Sequence, residues 1–158
     1  MTNTRARVLI VDDDHFTTET FARMLRLEGH EVRTAADART GLAAAHTFAP
    51  DAIIVDFRMP LMDGLGFISR FRAEEGDRVT PIAMVTGDYF LDDRITTELD
   101  KLGILLRFKP LWLDDLCTLA GELLEEPRRP ARATAGAREH DGHSITSTPI
   151  RPPRHPVQ

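Results

Sequence analysis

Short apolar runs alternate with longer stretches of mixed polarity along this chain. The apolar runs lie at 8–11, 53–55, 82–85 and 104–106, and 31–34 is a weaker fifth carrying the β-branched Val32. Between them, apolar residues recur at helical spacing. Phe21, Met24 and Leu25 share one face, and Gly29 supplies a C-terminal stop. Residues 37–46 are Ala-rich and open on Asp37, a capping residue type. Leu65, Ile68 and Phe71 mark a third helix over about 64–73, and Leu91, Ile95, Leu99 and Leu102 a fourth over about 91–102. The clearest stripe is the fifth: Leu113, Leu116, Ala120, Leu123 and Leu124. Five β/α pairs with nearly all-apolar strands predict an α/β fold, a doubly wound parallel five-stranded sheet with helices on both faces. In such sheets the functional crevice lies outside the carboxyl ends of the strands.

The pattern stops near Glu126, which makes 1–126 one domain. Residues 127–158 hold six of the ten prolines and few apolar side chains, and their composition predicts a disordered tail. Charge divides at the same place. The tail carries six arginines against two acidic residues, a net of +4, which leaves −9 on 1–126. An acidic domain of this kind argues against nucleic-acid binding. Cys117 is the only cysteine, so no intramolecular disulfide can form. No apolar run approaches the roughly 18 residues of a membrane span. The expectation is a cytoplasmic protein without membrane contact.

The chemistry collects at the strand ends. The first strand is followed by Asp12, Asp13 and Asp14, the third by Asp56, the fourth by Thr86, and the fifth, shortly after, by Lys109 and Pro110. Carboxylates gathered at one edge repel one another and call for a cation. Mg²⁺ is the natural choice, because it binds through one or two carboxylates together with phosphate oxygens and waters. A carboxylate is also a nucleophile toward phosphorus. Transfer of a phosphoryl group needs chiefly positioning and charge neutralisation on its equatorial oxygens. Metal, Lys109 and Thr86 can take one oxygen each, with Asp56 as the attacking group. An Asp-Asp-Asp first loop repels a bare phosphate, and no G-x-G-x-x-G or P-loop pattern is present, which argues against a dinucleotide or flavin fold.

The segments Val-Leu-Ile-Val-Asp-Asp-Asp, Val-Asp-Phe-Arg-Met-Pro-Leu-Met-Asp-Gly, Val-Thr-Gly and Phe-Lys-Pro resemble the receiver (response-regulator) domains of two-component signalling. The resemblance covers roughly 7–125, and its most specific part is the Asp-x-x-Met-Pro-x-Met-Asp-Gly segment. It implies the flavodoxin-like strand order 2-1-3-4-5. It implies that Asp56 takes a phosphoryl group from a phosphohistidine on a sensor histidine kinase or phosphotransfer protein. Mg²⁺ would be held by Asp12, Asp13, Asp56 and the backbone carbonyl of Arg58. Thr86 and Lys109 would contact the phosphoryl group, and Pro110 would follow a cis peptide bond. Met59, Pro60 and Gly64 would shape the loop after Asp56, with Gly64 serving through its backbone freedom. The implied role is a signalling switch rather than an enzyme. It would act through contacts with a downstream protein, without a DNA-binding domain, and a homodimer formed on phosphorylation is one form such a switch takes.

The chain departs from the family pattern at several positions. Leu106 stands three residues before Lys109, where the family often carries an aromatic switch residue. Phe108 is assigned the opposite strand parity, so that role is not transferred to it. Gly87 is smaller than usual, leaving the site more open to water, and Arg58 and Asp88 occupy positions that tune phosphoryl lifetime in the family. Other residues are read as ordinary. His15 faces solvent at a helix start, Cys117 is a buried thiol, Trp112 packs at the start of the last helix in the core or at its edge, with a partner face as the alternative, and His140, His143 and His155 are solvated. Two alternative functions stay open from the residues. One is a haloacid-dehalogenase-like Mg²⁺-dependent phosphohydrolase, for which 12–14 satisfies Asp-x-Asp. The other is a binding protein driven by its basic tail, with an inactive receiver site.

Overall fold

The computed structural model describes residues 5–74, 76 and 79–125. The tail at 127–158, with its three histidines, lies outside the described residues. Strands and helices alternate strictly: β1 (Arg7–Val11), α1 (His15–Leu27), β2 (Glu31–Ala35), α2 (Ala38–Phe48), β3 (Ala52–Asp56), α3 (Gly64–Glu74), β4 (Ile82–Thr86), α4 (Asp93–Lys101), β5 (Leu105–Phe108) and α5 (Leu113–Glu125). The five strands form one sheet in the order β2-β1-β3-β4-β5, all parallel.

Strand parity builds two cores. Val8, Ile10, Ile54, Ala83 and Val85 face one side, where Phe21 and Leu25 of α1 and Leu116, Leu119 and Leu123 of α5 cover them. Leu9, Val11, Ile53, Val55, Ile82 and Met84 face the other, beneath Phe48 of α2, Phe67, Ile68 and Phe71 of α3, and Leu99 of α4. Every residue of β3 and β4 is buried, as expected for central strands sheathed on both faces. β2 and β5 are the edges and are less buried.

Capping explains the helix starts. Asp14, Asp37 and Asp92 each accept backbone N–H groups from the first turn of α1, α2 and α4. The last strand lies slightly later than the apolar run at 104–106 suggested, because Ile104 is spent on closing the turn after α4: its N–H donates to Leu99 O at 2.9 Å. On α5 the apolar stripe runs through Leu116, Leu119, Ala120 and Leu123, while Leu113 is exposed. Trp112 is 71% exposed, and its backbone N–H donates to Asp115 Oδ2 at 3.0 Å. The expected packing role is thereby overturned. Cys117 is half-buried, and burial pushes its thiol pKa up. His15 is exposed, with Nε2 at 3.6 Å from Glu19. Among the described residues, no helix is long and apolar enough to cross a membrane.

The loop between β3 and α3 is closed tightly. Gly64 N–H donates to Phe57 O at 2.8 Å, and Asp63 caps α3 by accepting from Gly66 N–H at 2.8 Å. Phe57 and Met59 turn inward and are buried. Gly64 does not serve through backbone freedom, since it is absent from the positive-φ residues; Leu61 takes the left-handed conformation instead, at φ 70°. What matters at Gly64 is the missing side chain, because a Cβ there would lie 2.3 Å from the backbone oxygen of Asp56. Gly64→Ala should therefore displace the segment that carries Asp56 and destabilise the fold by about 2 kcal/mol, as overpacked sites do. Urea unfolding of the variant beside wild type measures this; an unchanged midpoint would mean that the loop yields freely.

Candidate phosphoacceptor site

Asp12 follows β1, Asp56 ends β3, Thr86 ends β4 and Lys109 follows β5, so four parallel strands deliver four candidate site residues to one edge. β1 and β3 are neighbours although β2 separates them in sequence, which places the crevice where the strand order reverses. Asp12 is 4% exposed and Asp56 7%; Thr86 is buried and Asp13 exposed. One carboxylate oxygen from each of Asp12, Asp13 and Asp56 lies within 4.8 Å of the others. These are hard oxygen donors, the set that Mg²⁺ takes, and they fit that ion better than a softer metal.

Lys109 is the counter-charge. Its Nζ donates to Asp12 Oδ2 at 2.7 Å and lies 3.3 Å from Asp56 Oδ1. Burial pulls the pKa of Lys109 down, but the hydrogen bond and charge of Asp12, with those of Asp56, outweigh it and the net shift is upward. Asp56 is pushed up to about 6, first by burial and then by the charge of Asp12; Lys109 opposes both. At neutral pH Asp56 is still mostly ionised, as a nucleophile must be. The other oxygen of Asp12, Oδ1, accepts from Asp14 N–H at 2.9 Å.

A shallow cavity of about 490 Å³ opens over this cluster, lined by Asp56, Arg58, Thr86, Gly87, Asp88 and Lys109. Thr86 Oγ1 accepts from Asp88 N–H at 3.1 Å. Arg58 donates to Asp88 Oδ2 through Nε at 3.0 Å and also through its terminal nitrogen, so this ion pair spans the loops after β3 and β4. The Arg58 hydrogen bond holds the Asp88 carboxyl below the usual range. No side chain at Gly87 fills the mouth: a Cβ there would meet nothing within 4 Å. The Lys109–Pro110 peptide bond is cis, as the resemblance implied.

Two features of the site were missed or misread in the sequence. Leu106 and Phe108 are two residues apart and share one strand face, so the opposite parity assigned to Phe108 is wrong. The register pairs Met84 with Leu106 and Thr86 with Phe108. Phe108 therefore stands beside Thr86. Tyr89, unremarked in the sequence, stacks on Phe108 with centroids 5.4 Å apart and donates its hydroxyl to Lys109 O.

Comparison with known proteins agrees with this geometry. The family model for the response regulator receiver domain matches residues 8–117. The chain belongs to the receiver domain family. The receiver is 35% identical over 134 residues to the transcriptional regulatory protein PrrA of Mycobacterium tuberculosis, covering 85% of this chain and 55% of that protein. It is 38% identical over 111 residues to TcrA of the same organism, covering 70% and 42%. The chain thus spans about half the length of the curated relatives it matches. Among solved structures, the chemotaxis response regulator CheY4 of Vibrio cholerae superposes with a TM-score of 0.69 at 33% identity, covering 77% of this chain and all of that one. A response regulator from Chloroflexus aurantiacus gives 0.67 at 30% identity, covering 77% and 98%. Membership in this family speaks against the haloacid-dehalogenase-like alternative.

The raised pKa of Asp56 has a stability consequence in metal-free protein. The folded state holds a proton on Asp56 up to about pH 6, whereas the unfolded chain releases it near 3.8. The fold therefore loses stability as pH rises from about 4 to about 6 and stays penalised above that. In EDTA, Asp56→Asn should be more stable than wild type at pH 7.5, and the advantage should shrink to nothing as pH falls through that window. Thermal unfolding across pH reads this; an advantage that does not vary with pH would refute the assignment.

Proposed function

We propose that this receiver is a phosphorylation switch whose acceptor is Asp56. The observation that carries the reading is a buried carboxylate that lines an open cavity, 3.3 Å from the Lys109 ammonium and grouped with the carboxylates of Asp12 and Asp13. Asp56 attacks phosphorus, a P–O bond forms to its carboxylate, and the bond to the donor's imidazole nitrogen breaks. The donor is a phosphohistidine on a sensor kinase or phosphotransfer protein. Lys109 and the Thr86 hydroxyl neutralise and hold phosphoryl oxygens. Asp12, Asp13, Asp56 and the Arg58 carbonyl would hold Mg²⁺, which would supply further charge neutralisation when bound. Water later cleaves the acyl phosphate and restores the carboxylate, so the chain is a switch and not a turnover catalyst for a metabolite. The phosphoryl group shifts a two-state equilibrium, and the signal leaves through protein contacts.

Incubating the protein with acetyl phosphate and Mg²⁺ should add one phosphate per chain by intact mass. The gain should vanish in Asp56→Ala and in EDTA. Absence of any gain from acetyl phosphate or phosphoramidate would sink the reading.

The Arg58–Asp88 pair lines the cavity beside Gly87, where it would shield a phosphoryl group. Asp88→Ala should release Arg58 and admit water, shortening the phosphoryl lifetime about three- to tenfold, the effect of a mobile cover losing a charge-assisted bond. Decay of the labelled species after donor removal measures it, and an equal or longer lifetime would contradict a shielding role.

A further inference from the structure

The side chains that would hold the phosphoryl group arrive on separate elements: Thr86 closes β4 and Lys109 follows β5, an edge strand. Lys109 N–H donates to Thr86 O at 2.8 Å, which joins the two backbones at one point. A second tie runs over the top. Tyr89 leaves the loop after Thr86, lays its ring on Phe108 at 5.4 Å and an interplanar angle of 18°, and donates its hydroxyl to the carbonyl of Lys109. Lys109 is thus held at its N–H by Thr86 and at its C=O by Tyr89. The two holds come from the end of β4 and from the loop that follows it. Phe108, the stacking partner, is the register neighbour of Thr86 across β4 and β5.

We propose that Tyr89 is a positioning residue of the phosphoacceptor site: its hydroxyl clamps the Lys109 peptide to the Thr86 loop, so that hydroxyl and ammonium meet the phosphoryl group as one unit. This rests on the reading of Asp56 as phosphoacceptor. Tyr89 touches none of the reacting atoms and acts through Lys109. Leu106, packed on the core beneath, makes no such tie, since its side chain carries no polar atom. The clamp also gives the site an outlet. The Tyr89 ring is 61% exposed and the adjoining Phe90 93%, so any movement of Lys109 toward a phosphoryl group shifts aromatic surface that a partner can touch.

The full chain is tested as wild type, Tyr89→Phe, Lys109→Ala and the double variant. Tyr89→Phe keeps the stack and loses only the hydroxyl. With acetyl phosphate and Mg²⁺, its initial labelling rate should fall about fivefold, the loss of one neutral hydrogen bond, with the thermal midpoint lowered by no more than a few degrees. In the double variant the tyrosine change should cost nothing beyond Lys109→Ala, because two residues acting as one unit are not additive. A residue that merely supported the fold would lower the rate by the same factor on both backgrounds. Tyr89 is the only tyrosine, which gives a second readout. Beryllofluoride with Mg²⁺ should change its near-ultraviolet circular dichroism band in wild type and leave it unchanged in Lys109→Ala. Equal labelling of wild type and Tyr89→Phe, full additivity in the double variant, or a silent tyrosine band in wild type each overturns the clamp while leaving Asp56 as acceptor. No labelling of wild type at all brings down the acceptor reading and the clamp together.

Discussion

Mutual repulsion among carboxylates at the ends of β1 and β3 is the constraint around which this molecule is arranged. Asp12 and Asp56 sit almost out of contact with water, where burial and the charge of Asp12 raise the cost of ionising Asp56. Lys109 offsets part of that cost from the neighbouring edge of the sheet, with Nζ within 2.7 Å of Asp12 and 3.3 Å of Asp56. The rest is left standing, as the upward shift of Asp56 records. A site held in this condition favours whatever brings positive charge to it. The fold sets up the condition with ordinary means: apolar strands buried on both faces, and side chains that turn polar one residue past the last hydrophobic position.

The loops around the site show how few parts hold that arrangement. Gly64 admits the backbone of Asp56 to within a distance no side chain would tolerate, and Asp63 anchors the helix that follows. Arg58 and Asp88 join the third and fourth strand loops, while Tyr89 joins the fourth loop to the fifth strand. Each link uses a polar side chain from one loop and a partner on the next, so side chains bind the rim of the sheet together in addition to backbone bonds such as Lys109 N–H to Thr86 O.

Much of this could be read in the sequence, because the strands are short and fully apolar and each ends on a charge or hydroxyl. The run at 53–55 followed by Asp56, and that at 82–85 followed by Thr86, placed both residues at the sheet edge without further information. The exposed state of Trp112 could not be read, because an aromatic beside an apolar stripe has the same pattern whether it packs inward or stands out. The Gly64 contact was hidden because a glycine that avoids a clash and one that adopts a left-handed turn are the same letter. Phe108 was within reach: counting two residues from Leu106 puts both on one face. Its meaning depended on Tyr89, nineteen positions earlier, and only the parallel register of β4 and β5 brings those rings together.

The alternation that builds two cores also divides the site between them. Along β3, Asp56 has the parity of Ile54 and so emerges on the side covered by α1 and α5; along β4, Thr86 has the parity of Met84 and emerges on the side of α2, α3 and α4. The sheet is a partition, and the proposed acceptor carboxylate and the hydroxyl that would meet its adduct are rooted in different rooms. Substitutions that loosen one helical layer should therefore disturb acceptance and response separately, which lets the two surfaces of this domain diverge under selection without surrendering the chemistry at the edge they share.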